Sequence, residues 1–144
     1  MKITKPFLMP LALSFIANLA SADVRLPSIF GDKMVLQQGL ECPIWGWADP
    51  SEKITVTVKG MEHNVVADKS GHWRLKLQKL ETSNAPIAIT IRGKNSIELK
   101  DVLIGEVWIC SGQSNMAFGV RGANDPDLEQ LSAKYPNIRF IIIP

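Results

Sequence analysis

The segment Ile54-Thr55-Val56-Thr57-Val58 alternates apolar and polar β-branched residues with the period of a strand, and Gly60 closes it. The pattern recurs along the chain. His63 to Ala67 reads as a return strand, Asp68-Lys69-Ser70-Gly71 as a turn, and Trp73 to Leu77 alternates apolar with basic residues. Ala85-Pro86 then opens Ile-Ala-Ile-Thr-Ile-Arg-Gly, Gly93-Lys94-Asn95 turns the chain, and Ile97 to Leu99 begins another strand. Turn signals roughly 8 to 12 residues apart limit residues 23–101 to an antiparallel β-sandwich with one wet and one dry face.

Within that stretch, Ile44-Trp45-Gly46-Trp47 places two indoles on the same side of an extended segment. Aromatic side chains carry much of the burial in small domains, so both indoles are expected to fill the core. The alternative is a sugar-stacking platform, which would make this region a non-catalytic carbohydrate-binding or structural β-sandwich module. Exposure of Trp45 or Trp47 separates the two.

The start of the chain has another character. Lys2 and Lys5 precede an uncharged stretch from Pro6 to Ala20, and Ala20-Ser21-Ala22 offers the small-x-small pattern of a cleavage site. Residues 1–22 read as a secretory signal peptide cleaved after Ala22, which makes the mature chain secreted or periplasmic. The apolar stretch is shorter than the ~20 residues that span a bilayer, so no membrane span is expected after cleavage. The 16 Lys and Arg against 14 Asp and Glu become 14 of each once Lys2 and Lys5 leave with the signal. Such a balance speaks against a nucleic-acid partner.

Cys42 and Cys110 sit in apolar surroundings, CPIWGW and VWICSG, and are read either as buried free thiols or as a bridge. Burial in a strand would make Cys110 a poor thiolate. His63 and His72 lie nine positions apart with no Cys, Asp or Glu arranged around them as ligands, so no metal is expected.

From Val102 the pattern changes. Val102 to Cys110 is a nearly continuous apolar run, as in a strand covered on both faces of a parallel sheet. Asn124-Asp125-Pro126 predicts a helix start with Pro at the first position, Leu128, Leu131 and Tyr135 keep helical spacing, and Pro136 stops it. Ile138 to Ile143 is a second buried-strand run. Residues 102–144 therefore predict the opening β-α-β segment of a larger α/β domain, incomplete because one such unit cannot cover its own strands.

Between these runs lies GEVWICSGQSNMAFG, Gly105 to Gly119, with Ser111 and Ser114 three residues apart. A serine at a sharp turn after a buried strand projects its Oγ at the carboxyl end of the sheet, where open α/β folds place their ligands. Gly112 supplies the backbone freedom of such a turn. A serine hydroxyl needs a base, however, and both histidines belong to the β region. Spacing alone leaves a helix-capping Ser/Asn turn as the commoner meaning.

Resemblance adds to spacing here. GEVWICSGQSNM resembles the first catalytic block of the sialate O-acetylesterase family, carbohydrate esterases within the SGNH/GDSL hydrolase superfamily. LPSIFGDKMVLQQG (26–39), PIWGWADPSEKITVTVKG (43–60), DKSGHWRLKL (68–77) and YPNIRF (135–140) resemble the same family in the same order. The resemblance implies an esterase acting on O-acetylated sugars such as sialic acids, with an N-terminal β-sandwich before an SGNH-type, flavodoxin-like α/β hydrolase domain, of which residues 102–144 would be the truncated beginning. It gives Ser114 the nucleophile role and its backbone N–H a place in the oxyanion hole. Gln113 and Asn115 would contact substrate, and Ser111 would order the turn. No cofactor is implied. The family's further oxyanion donors and its Asp-x-x-His block have no counterpart in these residues, and Ala117 stands where an acidic residue is frequent. The chain by itself is therefore expected to be inactive.

Overall fold

A computed structural model describes residues 23–143; the signal peptide read at 1–22 lies outside the described residues. Seven strands form first: β1 (Val35–Gln37), β2 (Cys42–Trp47), β3 (Lys53–Val58), β4 (Met61–Val66), β5 (His72–Leu77), β6 (Ser83–Arg92) and β7 (Ser96–Gly105). They make a five-stranded sheet in the order β1-β7-β6-β3-β4 and a two-stranded sheet of β2 and β5. All pairings are antiparallel but one. The short β1 runs parallel to β7, with Val35 opposite Leu103 and Gln37 opposite Gly105, so the larger sheet is mixed rather than purely antiparallel.

The alternation that predicted β3 also aims it. Ile54, Val56 and Val58 are 0–1% exposed while Thr55 and Thr57 face outward, as a period of two requires. Both sheets contribute to one core: Ile89 and Ile91 from β6, Leu99, Val102 and Ile104 from β7, Cys42 and Ile44 from β2, Trp73 and Leu77 from β5. Fully burying each such aliphatic side chain is worth about 1.5–3 kcal/mol. Two polar groups tie the start of the described chain to this core. Asn95 Oδ1 accepts from Val24 N–H at 2.8 Å, and Asn95 Nδ2 donates to the Val24 carbonyl at 3.1 Å.

The two indoles of Trp45 and Trp47 do not fill the core. Ile44 and Gly46 take the inner face of β2, and the tryptophans, half-buried, lie on the outer one. The buried indole is that of Trp73, 2% exposed, which packs across from Gly46. A Cβ on Gly46 would stand 2.2 Å from the Arg25 carbonyl oxygen and 3.0 Å from Trp73 Cζ2, so the glycine is what lets these groups meet.

β7 carries a bulge. Ile89 pairs with Leu99 and Ile87 with Val102, which leaves one extra residue on β7 between the two pairs. Asp101 absorbs it with φ of 56°. Past the bulge Val102, Leu103 and Ile104 are buried in succession. The apolar run expected to be covered on both faces is so for these three residues only.

After Gly105 the expected β-α-β unit does not form among the described residues. From Glu106 to Ile143 every residue is exposed except Pro126 and Arg139, which are half-buried. Trp108 is 81% and Phe140 91% exposed. Among the described residues Val107 to Ile109 and Ile138 to Ile143 pair with no strand. An extended apolar segment without a ladder partner leaves its N–H and C=O groups to water. The helix α1 (Pro126–Ser132) starts where predicted, with Pro126 first and Asp127 and Glu129 in its first turn, but ends before Tyr135. Leu128 and Leu131 find no packing face, and a helix this short gains little without one.

Candidate active-site segment

The approach to Ser114 is anchored at its beginning. Glu106, the first residue after β7, accepts hydrogen bonds on both carboxylate oxygens, from Gln38 Nε2 and from Gln37 Nε2 at 3.2 Å. Gln37 Oε1 in turn accepts from the Val107 N–H at 2.8 Å, and the Gln38 N–H donates to the Gly105 carbonyl at 2.8 Å. The amide donors of Gln38 first and Gln37 second stabilise the charged carboxylate and hold Glu106 below its ordinary pKa. The block 26–39 and the segment that opens at Gly105, far apart in sequence, are thus one contact in space.

Beyond it, Val107 to Gln113 is irregular and exposed. Ser114–Ala117 forms a single 3₁₀ turn, with the Met116 N–H donating to the Gln113 carbonyl at 2.9 Å and the Phe118 N–H to that of Asn115 at 3.2 Å. Gly112 precedes it at φ of 156°, and a Cβ there would lie 3.0 Å from Met116 Cγ. Ser114 opens the turn, where the first N–H groups of any helix lack an internal partner. Neither its N–H nor its Oγ has a hydrogen-bond partner among the described residues. Gln113 and Asn115 flank it, equally exposed.

Among the described residues no base is hydrogen-bonded to the serine. His63 lies in β4, and His72 in β5 has its Nδ1 2.8 Å from Ser70 Oγ. Ser111 is exposed and makes no hydrogen bond among the described residues; the turn is held by its backbone instead.

The cysteines separate sharply. Both are free; Cys42 is buried, its thiol donating to the Gln37 carbonyl at 3.2 Å, and burial pushes its pKa up. Cys110 is exposed, against the expectation of a strand-buried thiol, because the strand ends five residues earlier at Gly105. Among the described residues no group of three or more His, Cys, Asp or Glu could hold a metal ion. No described helix is long and apolar enough to cross a membrane.

No protein-family model matches the sequence. Known proteins do. Human sialate O-acetylesterase is 28% identical over 137 residues, 86% of this chain and 26% of that protein. The mouse sialate O-acetylesterase is 31% identical over 146 residues, 92% of this chain and 27% of that protein. The fold matches the crystal structure of a carbohydrate acetylesterase from Xanthomonas citri with a TM-score of 0.74 and 31% identity, over 78% of this chain and 26% of that one. Both kinds of likeness lead to one class, the carbohydrate acetylesterases. Along most of its length the chain is similar to the sialate O-acetylesterase family. It spans about a quarter of the length of the curated relatives it matches.

Proposed function

We propose that this chain contributes the nucleophile-bearing part of an exported esterase that removes O-acetyl groups from sialic acids or other acetylated sugars. Likeness to acetylesterases along most of the chain carries this reading. Residues 23–101 serve as a β-sandwich domain, and residues 102–144 begin a hydrolase domain whose exposed apolar runs become sheet strands beside the remaining three quarters of a family-length protein. Residues 1–22 direct export to the periplasm or the medium.

In that setting Ser114 Oγ attacks the acetyl carbonyl carbon, its proton passing to a base. The tetrahedral oxyanion is held in part by the Ser114 N–H, an unpartnered donor at the head of a helical turn. The C–O bond to the sugar breaks, the sugar oxygen takes the proton, and water then hydrolyses the acetyl-serine. Gln113 and Asn115, on either side, contact the sugar. The steps need no metal or organic cofactor. Since no histidine engages Ser114, the 144-residue chain alone has no Ser114-dependent activity.

A chimera tests the assignment. Residues 23–143 joined to the remaining three quarters of the Xanthomonas citri acetylesterase should hydrolyse an aryl acetate and lose that activity on Ser114→Ala. A folded chimera whose hydrolysis is indifferent to Ser114 would overturn the nucleophile assignment.

A further inference from the structure

The outer face of the small sheet is built as two matched rows. In the β2–β5 register Pro43 lies opposite Lys76, Trp45 opposite Arg74 and Trp47 opposite His72. Directly opposed residues share a face, so three flat apolar side chains stand beside three basic or ionisable ones. Cys42, Ile44 and Gly46 point the other way, into the core. Phe30 meets the Trp45 ring edge-on at a centroid distance of 4.6 Å and supports it from one side. A shallow, open hollow lies on this face, bordered by Pro43, Trp45, His72 and Arg74, with the buried Trp73 beneath.

The charges on the face are unequally engaged. Lys76 Nζ is 3.2 Å from Glu41 Oε2, and the His72 ring has its Nδ1 2.8 Å from Ser70 Oγ. Arg74, between them, is exposed and has no ion pair among the described residues. The centre of the hollow thus offers an aromatic plane next to an unneutralised guanidinium.

We infer that this face is a binding site for a carboxylated sugar, whose ring stacks on Trp45 while its carboxylate pairs with Arg74. The half-buried indole offers an apolar plane to the C–H face of a pyranose ring. The guanidinium matches a carboxylate through two parallel N–H bonds, a geometry an ammonium cannot supply. A neutral sugar would use half of the site. A nucleic-acid strand would need a longer basic track than one uncompensated arginine in a mature chain of balanced charge. The site lies on the β region and works without Ser114, so it stands or falls apart from the esterase reading.

Tryptophan fluorescence of the 144-residue chain, titrated with N-acetylneuraminic acid, glucuronic acid, galactose and a short oligothymidylate, tests it. Both acids should give saturable changes, with galactose bound about tenfold more weakly for want of the charged contact. Arg74→Gln should weaken the acids about tenfold, Arg74→Lys less so, and Ser114→Ala not at all. Arg74 is exposed, so its variants should keep the wild-type melting temperature and the result does not depend on a variant of the buried core. No saturable response to either acid, equal binding of galactose, indifference to Arg74→Gln, or tighter binding of the oligothymidylate would each overturn the inference.

Discussion

Arg139 Nη2 stands 2.9 Å from Asp101 Oδ1, and Arg139 Nη1 donates to the Asp101 carbonyl oxygen. Asp101 is the residue that bulges β7 with φ of 56°, so a side chain from the end of the chain closes on the irregularity that ends the alternating part of the strand. With Glu106 on Gln37 and Gln38, this makes two polar ties between the exposed segment and the sheets.

Removing the first tie should free residues 134–143 without unfolding the sheets. Arg139→Gln is expected to speed tryptic cleavage after Lys134 several-fold, while the melting temperature moves by no more than about 4 °C, since half-exposed ion pairs add little to stability. A large fall in melting temperature would show that the tie supports the core.

The second tie is sensitive to acid. Glu106 has a folded-state pKa below its ordinary value near 4.5. A depressed carboxylate stabilises the bonded state above the unfolded pKa, and the gain is lost as pH falls through the folded one. Hydrogen exchange at the Val107 amide should therefore lose protection as pH falls below about 4.5, after correction for the intrinsic rate. In Glu106→Ala the protection should be low at every pH. An acid-insensitive Val107 amide would place the restraint elsewhere, in the backbone of β1.

How far the sequence foretold this fold depended on whether a residue's partners lay nearby. Ile54 to Val58 announced β3, and Asp68 to Gly71 the turn to β5, because local alternation and a Gly at φ of 81° carry those elements. Trp45 and Trp47 were misassigned to the core. Period two says that they share a face but not which one, and Gly46 under Trp73 decides it. The run from Val102 onward was read as one strand, yet it holds two environments that only the long-range pairing of β1 with β7 separates. At the candidate site, Ser114 and Gly112 stood out from their turn chemistry. The glutamine pair that anchors their approach was missed, since nothing local links Gln37 to Glu106.

The Gly46 argument yields a stability prediction. In Gly46→Ala the new Cβ would overlap the Arg25 carbonyl and press on the Trp73 ring, so the backbone bridge between Arg25 and Trp47 must shift. Overpacking of this kind costs about 1–3 kcal/mol, to be read from urea denaturation followed by tryptophan fluorescence. Glycine to alanine in the open turn at Gly31, where a Cβ meets nothing within 4 Å, is the control and should cost far less.

The thiols report on the segment that leads to Ser114. In the native 144-residue chain, Cys110 should react with an aromatic disulfide reagent at the rate of an accessible thiol. Cys42, buried and with its pKa raised, holds less thiolate at any given pH and should react only on unfolding. One fast and one slow equivalent is the expected trace, and Cys110→Ser should remove the fast phase alone. In the acetylesterase chimera the order of events changes. If Val107 to Cys110 enters a sheet there, the apolar residues around Cys110 are covered and its fast phase disappears, while Cys42 stays as it was. Loss of the fast phase together with gain of Ser114-dependent hydrolysis would tie activity to ordering of this segment. Hydrolysis with Cys110 still fully reactive would show that the serine works from an open turn.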